Sequence, residues 1–142
     1  MPKTKAPELL LLDTHVWIWI QNADTTLKGS RALRHILSEG SAMRLSIMSV
    51  WEVGMLETKG RINLEPDCES WVNKGLRMPG LKLAPLTPEV ALVSSRLPGD
   101  FEGDPVDRIL AATAQLGNMT LVTRDRDLLQ YAARGHFSAL QA

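Results

Sequence analysis

The sequence predicts an α/β domain of three layers, helices on both faces of a mostly parallel central sheet. Three observations carry that expectation. Short apolar runs alternate with longer segments of helical periodicity, the pattern of repeated strand–helix units. The first run, Leu9 to Leu12, is apolar at every position rather than at alternate ones, as in a central strand buried on both faces. Near the C-terminus, Gly103 to Asp127 holds a helix, a tight turn, a strand and a second helix start in direct succession.

The elements follow in order. Residues 1–7 read as a mobile lead-in and residues 8–142 as one domain, long enough for a real core. After the Leu9–Leu12 strand, Asp13 to Ile20 turns into a short helix. Residues 25–40 carry a second helix, with Leu33, Ile36 and Leu37 at helical spacing. Met43 to Ile47 is the second strand. Ser49-Val-Trp-Glu52 matches a capping box and opens a helix through Leu56, with Gly60 at its exit. Pro66 to Met78 forms another helix, with Trp71, Val72 and Leu76 facing inward. Leu81 to Leu86 is a weaker strand that contains Pro85 and therefore suits an edge. Thr87-Pro88 starts the next helix. Asp104 is a good N-cap, Pro105 suits the first helical position, and Gly117-Asn118 ends that helix. Met119 to Val122 is a buried strand, Leu128 to Ala133 continues a helix, and Phe137 to Leu140 is a last edge strand. Crossovers between parallel strands should be right-handed.

Composition narrows the function. The formal net charge is zero, which argues against a globally basic nucleic-acid binder but allows a local groove. The single cysteine, Cys68, excludes an internal disulfide and suggests no thiolate zinc site. No run approaches the roughly 20 apolar residues of a membrane span, and the start lacks the pattern of a signal peptide. A cytoplasmic protein with no membrane contact is the expectation. No Walker loop, dinucleotide fingerprint or nucleophile elbow occurs.

Four acids recur at the same structural place. Asp13 and Asp125 each end a strand, while Glu52 and Asp107 each sit in the first turn of a predicted helix. In a parallel sheet, strand C-termini and the N-termini of the following helices share one edge, where functional loops gather. Local roles compete with convergence at three positions. Glu52 can complete the capping box with Ser49, Asp107 can complement the helix dipole, and Asp125 can cap the last helix. Asp13 is hardest to explain locally, because a charge ending an apolar central strand is costly to bury unpaired. Asp100, Asp104 and Asp127 are accounted for by capping or exposure.

If the four acids converge, they raise one another's pKa values unless a cation intervenes. An all-oxygen set suits Mg2+ or Mn2+, and His15, His35 and His136 show no ligand spacing. Such an ion most often serves phosphate chemistry. Arg108 and Arg124, with Arg126, flank the expected site and either hold phosphates or balance the acids.

The chain resembles the PIN-domain ribonucleases, specifically the VapC-type toxins of bacterial toxin–antitoxin pairs. The matching pieces are Leu-Leu-Leu-Asp13-Thr-His-Val-Trp, Leu45-Ser-Ile-Met-Ser-Val-Trp-Glu52-Val, Asp104-Pro-Val-Asp107-Arg-Ile-Leu-Ala-Ala-Thr-Ala and Leu121-Val-Thr-Arg-Asp125, in family order. The resemblance implies that Asp13, Glu52, Asp107 and Asp125 are the catalytic, metal-binding acids, with Thr123 as a supporting hydroxyl. It implies a Mg2+- or Mn2+-dependent endoribonuclease in which metal-activated water attacks the phosphodiester. It also implies an RNA substrate, a homodimer, and inhibition by a VapB-like antitoxin. The chain departs from the family after Asp125, where many members have an Asp-Phe pair and this chain has Asp127-Leu128; Asp127 is left out of the catalytic set.

Two other classes fit less well. A phosphoacceptor receiver domain also gathers acids at a sheet edge, but Asp13 lacks an adjacent acidic partner. A catalytically silent PIN-like binding module would not need the full acid set. Val16 to Ile20, Trp51, Val53 and Met55-Leu56 load two helices with apolar residues on nearly every side, either because both are wholly buried or because part of them forms a groove for an amphipathic antitoxin segment.

Overall fold

In a computed structural model of the chain, residues 9–27, 30, 34, 36, 42–99 and 101–142 are described. Five strands form one sheet: β1 (Leu9–Leu12), β2 (Ala42–Ser46), β3 (Leu81–Ala84), β4 (Thr120–Thr123) and β5 (Ser138–Gln141). Their order is β3-β2-β1-β4-β5 and every pairing is parallel. β1 is central, as its unbroken apolar run predicts, and β3 and β5 are the edges. All strand C-termini therefore lie along one side of the sheet. The chain builds outward from β1 to β2 and β3, then returns to place β4 on the other flank. This reversal creates the crevice where open α/β sheets bind ligands.

Among the described residues, the helices with assigned bounds are α1 (Thr14–Gln21), α2 (Ile47–Thr58), α3 (Cys68–Leu76), α4 (Pro88–Ser95), α5 (Pro105–Gly117) and α6 (Arg126–Ala133). Alternation along the strands divides them into two layers. Leu10 and Leu12 of β1 and Val122 of β4 join Val16, Trp17, Val53 and Trp71 in one core. Leu11 and Leu121 point the other way and join Val90, Leu110, Leu128 and Tyr131 in a second. Ala111, Ala112 and Ala114 give α5 a flat face that lies fully buried in that second core.

Capping residues set the helix starts. Asp104 accepts the Asp107 N–H at 2.8 Å and Thr87 accepts the Val90 N–H at 3.1 Å, each with proline at the first helical position. Asn118 ends α5 in the left-handed conformation, at φ 52°. The start of α2 differs from the Ser49-to-Glu52 capping box expected from sequence. Ser46 is the cap, accepting the Met48 N–H at 3.1 Å, because β2 ends on Ser46 and the serine there captures the first free amide. Ser49 is instead buried inside the helix, and Glu52 lies in its second turn.

The expected lead-in lies outside the described residues. So does most of the helix expected over 25–40. Thr25–Leu27 of that span is a single 3-10 turn, and Ile36 is buried in the first core. Among the described residues no helix is long and apolar enough to cross a membrane. Trp17 and Trp71, expected in helical apolar patterns, meet edge to face at 4.8 Å in the core. Trp51 is different, with 54 % of its surface exposed.

Candidate active site

At the C-terminal edge of the sheet a cleft of about 370 Å3 opens, and Asp13, Glu52, Asp104, Asp107 and Asp125 line it. The local structure explains how each arrives. Asp13 ends β1 and caps α1, its Oδ1 accepting the Thr14 N–H at 2.7 Å. Its Oδ2 accepts the Thr123 hydroxyl at 2.6 Å from the end of the neighbouring strand. The Thr123 oxygen in turn accepts the Asp125 N–H at 3.0 Å, and Asp125 caps α6 through Leu128 N–H at 2.9 Å. One threonine thus ties the ends of β1 and β4 together and fixes the spacing of two carboxylates. Asp107 stands at the third position of α5, directly above its cap Asp104. Glu52 reaches the cleft from α2, beside the buried Thr14 hydroxyl, which donates to Ser49 Oγ at 2.8 Å.

Crowding the acids has electrostatic consequences. Burial pushes the Asp13 carboxyl above its usual range, and the hydrogen bonds from Thr123 and Thr14 oppose that rise. Glu52 is raised too, first by burial and then by Asp13 and Asp104, with a Thr14 hydrogen bond pulling the other way. Asp107 is the extreme case. Partial burial together with Asp104, Asp125, Asp13 and Glu52 carries it to about 8. Among the described residues no basic side chain is hydrogen-bonded to it to offset them. Arg124, the one guanidinium lining the cleft among the described residues, donates to the Ala142 and Thr26 carbonyls and packs over the Trp19 ring at 4.8 Å.

Such a set fits a hard divalent cation. The donors are chiefly carboxylate oxygens, with the His15 imidazole also in the lining, and several of the carboxylates are partly desolvated. Among the described residues, however, no three carboxylate, imidazole or thiol groups are already drawn together as a closed ligand set.

The structure therefore brings Asp13, Glu52, Asp107 and Asp125 to one cavity, with Thr123 beneath them. Arg124 borders it. Arg108 does not, because its guanidinium donates to the Ser94 and Phe101 carbonyls and holds that loop onto α5. Four lining residues, His15, Val16, Trp19 and Asp104, were not among the sequence candidates. Asp104 was explained as a cap, and it is one, but the three-residue step to Asp107 also sets both acids at the same helix head. His15 and Trp19 follow Asp13 on α1, and their signal was only the one-turn spacing that places them on the cleft side.

Comparison with known proteins bears on the family and the fold. The chain is 31 % identical over 121 residues to Ribonuclease VapC22 of Mycobacterium tuberculosis, covering 84 % of this chain and 88 % of that protein. Its fold resembles the crystal structure of VapBC2 from Rickettsia felis bound to a promoter DNA fragment, with a TM-score of 0.68 at 16 % identity over 94 % of this chain and 98 % of that one. It also resembles FitAcB from Neisseria gonorrhoeae, with a TM-score of 0.57 at 20 % identity over 92 % and 96 % of the two chains. The PIN domain family matches residues 10–134, and the chain belongs to that family.

Proposed function

We propose that this protein is the toxin of a type II toxin–antitoxin pair, a divalent-metal-dependent endoribonuclease. The observation that carries the reading is the convergence of Asp13, Glu52, Asp107 and Asp125 on one cleft. Similarity to a ribonuclease VapC and to the fold of VapBC and FitAB complexes supports the activity and a VapB-like antitoxin as partner. Asp13, Glu52, Asp107 and Asp125 would hold Mg2+ or Mn2+, which when bound activates water and neutralises charge on the phosphoryl oxygens. Thr123 orients the Asp13 carboxylate through its hydroxyl and Asp125 through its backbone amide. Arg124 lies at the cleft wall, where a substrate phosphate would meet it.

Partner surfaces follow from exposure. Ile47 and Trp51 of α2, Leu92 of α4 and Leu116 of α5 are large apolar side chains left in solvent. They suit a homodimer contact or the antitoxin. Trp17 cannot serve in a groove as its sequence context suggested, since it is completely buried against Trp71 and Gly75. Trp51 retains that role.

The test is metal-dependent cleavage of RNA by purified wild type and Glu52→Gln. Glutamine keeps the size of the side chain and removes its charge, and Ser46 rather than Glu52 caps the helix. Loss of cleavage in a folded Glu52→Gln protein is expected. Equal rates would remove Glu52 from the site, and a wild type inert toward RNA with any divalent ion would favour the silent binding module.

A further inference from the structure

Two buried hydroxyls lie beneath the carboxylate cleft. Thr14 is the first residue of α1 and Ser49 lies in α2. Both are fully buried, and the Thr14 hydroxyl donates to Ser49 Oγ at 2.8 Å. Burying a hydroxyl costs free energy unless it is hydrogen-bonded. Valine and alanine would fill the same two places with no polar group to satisfy. Packing of α1 against α2 therefore does not by itself call for this pair.

What the pair adjoins is Glu52. Ser49 and Glu52 stand three residues apart on α2, so they share one face of that helix. Long side chains on a helix lean back over the preceding turn, which carries the Glu52 carboxylate toward Ser49 and its partner Thr14. The Thr14 hydroxyl also hydrogen-bonds to that carboxylate. A hydroxyl has one proton and two lone pairs, and it turns about its C–O bond. A charged Glu52 only accepts, so Thr14 then turns its proton to Glu52, and the Ser49 hydroxyl donates to the Thr14 oxygen. Ser49 thus keeps the Thr14 oxygen paired in either arrangement.

The same threonine serves Asp13. Its backbone N–H donates to Asp13 Oδ1 at 2.7 Å, while the Thr123 hydroxyl holds Asp13 Oδ2. Thr14 therefore bonds two of the four acids, Asp13 through its amide and Glu52 through its hydroxyl. Thr123 does the same for Asp13 and Asp125 on the other side. Glu52 is a long, flexible side chain and caps no helix, so the hydroxyl beneath it decides where its carboxylate rests. We propose that Thr14 and Ser49 are positioning residues that fix the Glu52 carboxylate against Asp13, so that both reach one divalent cation. The proposal rests on the ribonuclease reading, because it takes the cleft to hold that cation. Groups that orient a metal ligand typically contribute roughly 10–100-fold to metal affinity.

Mn2+ alone, titrated into the full chain and followed by calorimetry, tests this without catalysis. Thr14→Val keeps the side-chain shape and the amide to Asp13 and removes only the hydroxyl. It should weaken Mn2+ binding roughly tenfold or more, and Thr14→Ser, which restores the hydroxyl, should bind within about twofold of wild type. In a Glu52→Gln background, Thr14→Val should change affinity by less than about twofold, because its effect passes through Glu52. Thr14→Val leaves Ser49 unpaired, so Thr14→Val with Ser49→Ala is made as well. Removing both hydroxyls leaves no buried orphan, and the loss of affinity should persist in that folded protein. Ser49→Ala alone should give a smaller loss, and no loss would remove Ser49 from the pair. With RNA as substrate, kcat should fall in Thr14→Val while KM stays near that of wild type. Wild-type Mn2+ affinity in the folded Thr14→Val, Ser49→Ala protein, an equal loss with and without the Glu52 carboxylate, or failure of serine to rescue would each overturn the positioning role. Wild-type Mn2+ affinity in Glu52→Gln itself would overturn the metal-site reading, and the positioning role with it.

Discussion

Removing one carboxylate should stabilise the metal-free protein, and only at neutral to basic pH. The perturbation is Asp107→Asn. In the folded chain Asp107 is carried from 3.8 to about 8 by burial and by Asp104, Asp125, Asp13 and Glu52. An acid whose folded pKa is raised binds its proton more tightly in the native state. Its stability contribution is fully present below pH 4 and is lost as pH rises toward 8. At 1.36 kcal/mol per unit the full span would be worth on the order of 5–6 kcal/mol. Asp107 is only part-buried, so solvent screening reduces this to roughly 2 kcal/mol. Asparagine has no proton to lose and forgoes a favourable helix-head charge of about 0.3–1 kcal/mol, so repulsion outweighs the lost dipole term at pH 8. The assay is urea unfolding with chelator present, from pH 4.5 to 8.5. With a slope of about 2 kcal/mol/M, the variant's midpoint should exceed wild type by about 0.5–1 M at pH 8.5 and by almost nothing at pH 4.5. A variant no more stable than wild type at pH 8.5, or equally stabilised at both ends, would refute the electrostatic account of the cleft.

Other consequences can be measured on the same protein. Mg2+ or Mn2+ should raise the wild-type melting midpoint, by the equivalent of about 2.7 kcal/mol at a hundredfold excess over Kd, and Asp13→Asn should flatten the response; a wild-type midpoint indifferent to metal would speak against the ion site. Thr123→Val removes the donor to Asp13 and the acceptor of the Asp125 N–H, and should cost about 1–3 kcal/mol in thermal or urea unfolding; a neutral outcome would mean that neither bond holds the two strand ends. Trp17→Ala should cost roughly 3–5 kcal/mol as a core truncation, whereas Trp51→Ala should leave stability within about 0.5 kcal/mol of wild type. The same Trp51→Ala protein should bind antitoxin or its own partner subunit more weakly by calorimetry or sedimentation, and unchanged association would remove Trp51 from both interfaces.

The architecture was legible because its signals are long-range averages. Leu9–Leu12 announced a doubly buried strand, and that strand is central. Pro85 announced an edge, and Leu81–Ala84 is one, ending just before it. Convergence of the four acids followed from topology alone, since a parallel sheet sends every strand end to the same side. What failed was local. Ser49-x-x-Glu52 reads as a cap, but Ser46 lies nearer the strand end and captures the helix start, so the box falls one turn inside the helix. Arg108 could not be assigned from sequence because its fate depends on the carbonyls of Ser94 and Phe101, contacts made across a loop. The burial of Trp17 and the exposure of Trp51 likewise depend on how α1 and α2 rotate against α3, and both helices are too uniformly apolar for periodicity to say.

The same side chains serve the fold and the site, and this sets which substitutions are informative. Asp13, Asp104 and Asp125 each cap a helix with one oxygen. Asp104 and Asp125 leave their second oxygen uncommitted to the helix, while Asp13 gives its second to Thr123. Capping offsets part of the cost of crowding carboxylates, because each charge rests on a helix N-terminus worth about 0.3–1 kcal/mol. Alanine at any of these positions removes cap and charge together, at about 1 kcal/mol for the cap alone. A loss of activity in an alanine variant would thus mix a frayed helix with a missing ligand. Asparagine caps as well as aspartate and removes only the charge. Asp107 and Glu52 cap nothing, so their amide variants isolate the charge directly. If the acids were retained for capping alone, asparagine at Asp13 and Asp125 would leave every property intact. If the cleft is a metal site, those variants keep the fold and lose the response to metal.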